Sequence, residues 1–297
     1  MAKKYYGSCV AIVTPFVDGQ FDESAYRALI EWQIASGTHV IVACGTTGEA
    51  STLSFEEQIE VIKVAIDAAK GRVPVIAGTG GNNTAEAIYL TQEAERLGVD
   101  AVLVVVPYYN KPTQEGLYQH YRTIAESTRL PIILYNVPSR TGINMTPATV
   151  ARLAKIKNII GIKEASGDMG QVGAILAQCG EDFQVFSGND SDTLPVLALG
   201  GCGTISVTAN IMPAECAQLY AAWQQGDLQT ARTICRQLDA VNRAMFIESN
   251  PIMVKYALAM MGKIREEYRL PLCSPEPTSG QKLAEVLAKN GILIYVV

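Results

Sequence analysis

The sequence predicts a (β/α)8 barrel with an appended helical region at its C-terminal end, and three observations lead there. Eight short apolar, strand-like runs alternate with amphipathic helical patterns over about 225 residues. That alternation implies right-handed β-α-β crossovers and a parallel sheet, and eight such units suit a closed barrel. Beyond about residue 226 the pattern is helical only. The alternative is a doubly wound open sheet, which usually shows a Gly-rich phosphate turn after its first strand. Thr14-Pro15-Phe16-Val17-Asp18-Gly19 is no such turn.

The strand-like runs are 8–14, 40–44, 74–78, 101–106, 131–135, 159–163, 184–187 and 204–207. The first helix, 22–36, has Asp22 as its N-cap and places Ala25, Leu29, Ile30 and Ile34 on one face. The second, 54–69, opens with a capping box, Ser54 and Glu57, and stops at Gly71. Helices 84–97, 113–127, 146–154, 168–179, 192–199 and 213–225 complete the eight units. Helices 228–247, 251–261 and 280–288 follow. Residues 1–226 therefore read as the catalytic barrel and 227–297 as a helical region packed on it.

Composition narrows the function classes. The 297 residues are 48% hydrophobic with a net charge of −5, and no basic run exceeds Lys3-Lys4. That balance argues against nucleic acid and anionic membrane as partners. No apolar run reaches membrane-spanning length, and Met1–Gly7 lacks a leader's apolar core. The seven cysteines are scattered with no C-x-x-C, as in a protein of the reducing cytoplasm. With two histidines, His39 and His120, neither a metal site nor a Ser-His-Asp or Cys-His mechanism is expected.

In a barrel the chemistry lies where strands end at their C-terminal side. The sixth run ends Gly161-Ile162-Lys163-Glu164-Ala165-Ser166-Gly167-Asp168. Strand alternation gives Ile159, Gly161 and Lys163 one face. A buried lysine without partners is costly as structure but useful as chemistry, because desolvation enlarges the free-amine share that can form a Schiff base. The alternatives are a lysine that snorkels to solvent or pairs with Glu164. After the second strand comes Gly45-Thr46-Thr47-Gly48-Glu49, a turn whose hydroxyls and N–H groups suit a carboxylate, or simply a polar loop. After the fourth comes Tyr108-Tyr109-Asn110-Lys111. The fifth is followed by Tyr135-Asn136-Val137-Pro138-Ser139-Arg140-Thr141-Gly142, the seventh by Ser187-Gly188-Asn189-Asp190, and the eighth contains Ile205. A tyrosine at a strand tip can pass a proton and an arginine beyond it can clamp a carboxylate. One amine, several hydroxyls and one guanidinium suit imine chemistry on a keto acid. Cys44 has no base nearby in sequence, His120 lies in a helix and reads as a surface or packed histidine, and His39 precedes the second strand at the opposite barrel end and reads as structural. Gly78-Thr79-Gly80-Gly81-Asn82 lacks the Lys-Ser/Thr of a phosphate loop.

These motifs together resemble the dihydrodipicolinate synthase family of pyruvate-dependent class I aldolases, through essentially the whole chain to Asn250-Pro251-Ile252 and Leu270-Pro271-Leu272. Neuraminate lyases of the same superfamily resemble Gly-Ser-Thr-Gly-Glu at the first motif and lack the Ser-Arg-Thr-Gly ending, so Arg140 favours the synthase. The resemblance implies condensation of pyruvate with aspartate semialdehyde in lysine synthesis, no cofactor, and a homotetramer built from tight dimers. It implies Lys163 as the Schiff-base residue, Tyr135 as general acid/base with Thr46 and Tyr109 as proton-relay partners, and Tyr109 serving a neighbouring subunit. Thr47, Ile205 and Gly188 are expected at pyruvate, and Arg140 at the semialdehyde carboxylate. Ser51, Asn82, Glu86 and Tyr108 match a lysine feedback site. Phe55 and Gln58 stand where strongly regulated relatives often carry histidines, so weaker inhibition is expected. A sugar-acid aldolase and a non-catalytic keto-acid sensor are the competing readings.

Overall fold

A computed structural model describes residues 5–292, so Lys3-Lys4 and most of the stretch inspected for a leader lie outside the described residues. The strands are β1 (Gly7–Ala11), β2 (Phe16–Val17), β3 (Gln20–Phe21), β4 (Val40–Ala43), β5 (Val75–Gly78), β6 (Ala101–Val105), β7 (Ile132–Asn136), β8 (Ile159–Glu164), β9 (Gln184–Ser187) and β10 (Gly203–Ser206). Eight of them close into a parallel barrel in the order β1-β10-β9-β8-β7-β6-β5-β4, and β2 and β3 form a separate hairpin. The helices are α1 (Glu23–Ala35), α2 (Phe55–Ala69), α3 (Thr84–Leu97), α4 (Gln114–Glu126), α5 (Pro138–Thr141), α6 (Pro147–Leu153), α7 (Met169–Cys179), α8 (Thr193–Leu199), α9 (Pro213–Gln224), α10 (Leu228–Ala244), α11 (Ile252–Met260) and α12 (Pro277–Lys289). The predicted barrel is therefore observed, strand by strand.

The chain divides into two compact units. The first, Pro74–Ile205 with Tyr5 and Tyr6, carries β5 to β9. Its strands are in parallel register, with Val105 opposite Tyr135, Tyr135 opposite Lys163 and Lys163 opposite Phe186. The register slips between Ile132 and Ile133, which face Ile159 and Gly161, so Ile160 is an extra residue in β8. Alternation is thus unbroken only from Gly161 onward, which still places Gly161 and Lys163 on one face. Gly161 is required here: a Cβ would lie 2.3 Å from the Gln184 carbonyl oxygen.

The second unit, Gly7–Val73 with residues 206–292, pairs β1 with β4 and packs α1 on α2. The helical region meets the rest of this unit through α10 on α9 and α11 on the 208–210 turn, while α12 lies on α10 and α11. Asp22 caps α1, and the Ser54–Glu57 capping box of α2 is complete in both directions. Three features differ from the sequence expectation. Asp18 and Gly19 both take positive φ and turn the β2–β3 hairpin. That Asp-Gly pair is a hairpin signal, which a search for phosphate turns passes over. The second helix ends at Ala69 as expected, but its left-handed cap is Lys70, at φ 50°, rather than Gly71. The last helix starts at Pro277, three residues before the expected position, because proline fits the first helical turn.

Candidate active site

In the first unit the site is built from two neighbouring strand ends. Tyr135 and Lys163 are the penultimate residues of β7 and β8 and stand directly opposite each other. Both are buried, and the Lys163 Nζ sits 4.3 Å from the centre of the Tyr135 ring. At 5% exposure Lys163 does not snorkel to solvent.

Nor does it pair with Glu164. The next residue on a strand faces the other way, and the Glu164 carboxylate is enclosed by neutral donors. It accepts from Asn136 Nδ2 at 3.0 and 3.2 Å, from Gln171 Nε2 at 3.1 Å and from the Ser166 N–H at 2.7 Å. Asn144 joins the same network, accepting from Asn136 and exchanging hydrogen bonds with Gln171. The network therefore ties β7, β8, α7 and the segment after Arg140 together just past the Tyr135–Lys163 pair. Sequence reasoning missed it, although Asn136 and Glu164 follow the two catalytic candidates directly.

Arg140 is exposed on the short helix α5, where the sequence suggested a loop. Proline at its first position and Gly142 at a left-handed cap shape that single turn. Ile205 is fully buried in β10. Gly188 donates its N–H to the Glu164 carbonyl at 2.7 Å, and a Cβ there would lie 2.5 Å from that of Ala165. The missing side chain therefore lets the Gly188 backbone close on the Glu164–Ala165 segment. Tyr109 is 89% exposed at φ 71°, so its ring touches little of its own chain. Asn110 Nδ2 ties the same loop to the Asn82 carbonyl at 2.8 Å. Tyr108 is exposed, and Glu86 lies in the first turn of α3, accepting from Asn83.

In the second unit the turn after β4 closes on itself: Gly48 N–H donates to Gly45 and Glu49 N–H to Thr46. Thr47 is buried and its Oγ1 accepts from Asn250 Nδ2 at 3.0 Å, which leaves the Thr47 O–H free to donate. Glu49, at φ 53°, buries its side chain against the Lys255 ammonium. Ser51 lies in the 3₁₀ turn Ala50–Thr52 that follows. Asn250 entered only through the motif Asn250-Pro251-Ile252 and Lys255 not at all, because nothing local marks a partner some 200 residues away in the chain.

The isolated candidates prove structural. His120 is buried with Nδ1 2.9 Å from Thr84 Oγ1, and burial pushes its pKa down to about 4. His39 fills the space against Gly7, where a Cβ would lie 2.8 Å from its ring. Burial pushes the Cys44 thiol up, away from a reactive thiolate, and none of the seven cysteines is in a disulfide. Gly80 permits close backbone packing, since a Cβ would lie 2.2 Å from Val105 N.

Comparison with known proteins agrees with this arrangement. The family model described as "Dihydrodipicolinate synthetase family" matches residues 4–290. The 4-hydroxy-tetrahydrodipicolinate synthase of Thermodesulfovibrio yellowstonii is 58% identical over 97% of this chain and 99% of its own length. A dihydrodipicolinate synthase from Acinetobacter baumannii, complexed with pyruvate, superposes with a TM-score of 0.95 at 49% identity, covering 97% of this chain and 99% of that one. The enzyme of Cyanidioschyzon merolae with lysine bound gives 0.94 at 38% identity, again over 97% and 99%. A match along nearly the whole length, on a barrel with a buried lysine at the end of its sixth strand, has one consequence: the chain belongs to the dihydrodipicolinate synthetase family.

Proposed function

We propose that this chain condenses pyruvate with L-aspartate 4-semialdehyde to give 4-hydroxy-tetrahydrodipicolinate, in lysine and diaminopimelate synthesis. One observation carries the reading: the buried Lys163 Nζ 4.3 Å from the Tyr135 ring, at adjacent strand ends. The free amine attacks the pyruvate carbonyl carbon, and loss of water leaves an iminium on Lys163. The iminium draws electrons from the methyl group, which gives up a proton to form an enamine. The enamine carbon then attacks the aldehyde, making the carbon–carbon bond, and the substrate amine displaces Lys163 as the ring closes. Tyr135, relayed through Thr46 and Tyr109, moves the protons.

The Thr47 hydroxyl, held as an acceptor by Asn250 and so with its proton to give, is suited to the pyruvate carboxylate together with the Ile205 backbone. Gly188 is the third residue that the family resemblance assigns to pyruvate. Arg140, exposed past the β7 end, suits the semialdehyde carboxylate and weighs against a sugar-acid lyase. Residues 1–226 form the catalytic domain in this reading, with 227–297 accessory to it. No helix of the described residues is long and apolar enough to cross a membrane, and the cytoplasm is the proposed location.

Pyruvate and borohydride should add one reduced three-carbon unit, mapped to Lys163. An adduct on another lysine would overturn the assignment of Lys163, and no adduct at all would overturn the reading and leave a sensor. Lys163→Arg should form no adduct, because its guanidinium stays protonated.

The nearly bare Tyr109 ring supports its serving the neighbouring subunit in a tight dimer, two of which would make the tetramer. Inactive Tyr109→Phe and Lys163→Ala chains, dissociated and remixed, should regain part of the activity. If mixed dimers form without recovery, Tyr109 belongs to its own subunit's site.

A lysine feedback site at Ser51, Asn82, Glu86 and Tyr108 follows from the same family resemblance. Glu86 suits the ligand's α-ammonium, and Asn82 and Tyr108 its carboxylate.

A further inference from the structure

We propose that the buried Glu49–Lys255 pair is a positioning device, through which α11 holds the Thr46-Thr47 turn in the form that receives the pyruvate carboxylate. The inference rests on the reading that this turn meets pyruvate.

Glu49 is the last residue of the turn, and its own N–H closes directly on the Thr46 carbonyl at 3.1 Å. It adopts a left-handed conformation, φ 53°, that a long side chain seldom takes and that persists only where its surroundings enforce it. What enforces it is the side chain. The carboxylate is fully buried and accepts from the Lys255 Nζ at 2.5 Å and from the Arg269 N–H at 3.4 Å. Lys255 is fixed in turn, with its Nζ 4.3 Å from the Phe16 ring centre and 5.4 Å from that of Tyr268. Burial lowers the Lys255 pKa and Glu49 opposes that shift, so the ammonium depends on its partner.

The second observation is independent of the charges. Asn250, five residues before Lys255, donates to the Thr47 hydroxyl at 3.0 Å. One short segment of the C-terminal region therefore holds the turn twice, by the Thr47 side chain and by the Glu49 side chain. Stability alone would not require ions here, because well-packed apolar residues commonly replace a buried ion pair without loss. A fixed carboxylate–ammonium contact does what apolar packing cannot: it sets one distance and one direction for the end of the turn.

The test is the rate of pyruvate trapping by borohydride, alongside KM for each substrate. Glu49→Asp keeps the charge and is at ease in the left-handed region, but it shortens the anchor by about 1.5 Å. It should slow trapping by about tenfold or more and raise KM for pyruvate, as a small misplacement of a binding group does. KM for the semialdehyde should stay near the parent's. The paired variant Glu49→Gln/Lys255→Met removes both charges. It should be more stable than Lys255→Met alone and still trap slowly. A folded variant of either kind that traps pyruvate at the parent's rate overturns the proposal. No adduct on Lys163 in the parent would instead overturn the underlying reading of the site.

Discussion

Two glutamates are buried, Glu164 at the end of β8 and Glu49 in the turn after β4, and the protein treats them in opposite ways. Glu164, next to Lys163, is surrounded by two side-chain amides and a backbone N–H and has no salt-bridge partner among the described residues. Glu49 is matched to a single ammonium with two aromatic rings around it. The difference follows from what stands nearby. Glu164 follows Lys163 on the opposite face of β8, where the Asn136 and Gln171 side-chain amides reach it. Neutral amides satisfy its carboxylate without placing a cation beside it. Glu49 instead meets the Lys255 ammonium directly, as a full ion pair.

The comparison is open to disproof by stability measurements. Lys255→Met leaves Glu49 buried and unpaired and should cost about 3–5 kcal/mol, read from urea unfolding. A loss under about 1 kcal/mol would mean that the pair is not buried in solution. His120 extends the neutral pattern to a base, since it faces the Thr84 hydroxyl and the edge of Tyr121 rather than a carboxylate. Its pKa is about 4 when folded, against the usual 6.5 unfolded. The unfolded chain therefore takes up the proton first as pH falls. The stability is whole above about pH 6.5 and drains away toward pH 4, by up to about 3 kcal/mol. The urea midpoint of His120→Gln should fall less than the parent's between about pH 7 and about pH 4.5; parallel curves would contradict the assignment. Glu164→Gln is milder, because shape is kept while one acceptor becomes a donor facing other donors. It should cost about 1–3 kcal/mol. A loss as large as that of Lys255→Met would erase the distinction between the two sites.

The same contrast explains what could be read from the sequence. Strand and helix periods are local, so all eight barrel strands and the Asp22 and Ser54–Glu57 caps were legible. Lys163 was legible because a charged residue ending an apolar strand breaks a local pattern. The Tyr135–Lys163 contact follows once adjacent strands are aligned, since both are penultimate in their strands. Helix α5, with four residues, is too short to show a period. The grip of Asn250 and Lys255 on the Thr47–Glu49 turn joins positions 203 and 206 residues apart, a pairing that no local pattern reports. Gly161 looks like any strand glycine until the Gln184 carbonyl is placed beside it.

The smallest expected effect asks whether neutral groups can also serve a cationic ligand. In the proposed lysine site Gln58 and Phe55 stand where strongly regulated relatives of the family resemblance carry histidines. The Gln58 amide N–H groups are directed to the Ala50 and Leu53 carbonyls, at 3.2 and 3.3 Å. Its Oε1 is therefore the end that can accept from the ligand's side-chain ammonium. Phe55, half-buried at the start of α2, offers a ring face worth about 0.5–1 kcal/mol to a cation. A hydrogen bond to a charged group is worth about 1.5–3 kcal/mol, so Phe55→His should strengthen lysine binding by about 1 kcal/mol, a roughly fivefold lower half-inhibiting concentration. The measurement is activity against lysine concentration for parent and variant. Insensitivity of the parent at tens of millimolar, about −2 to −3 kcal/mol of binding, would mean that the matched residues form no working site. A variant no more sensitive than an inhibited parent would show that Phe55 is not the limiting departure.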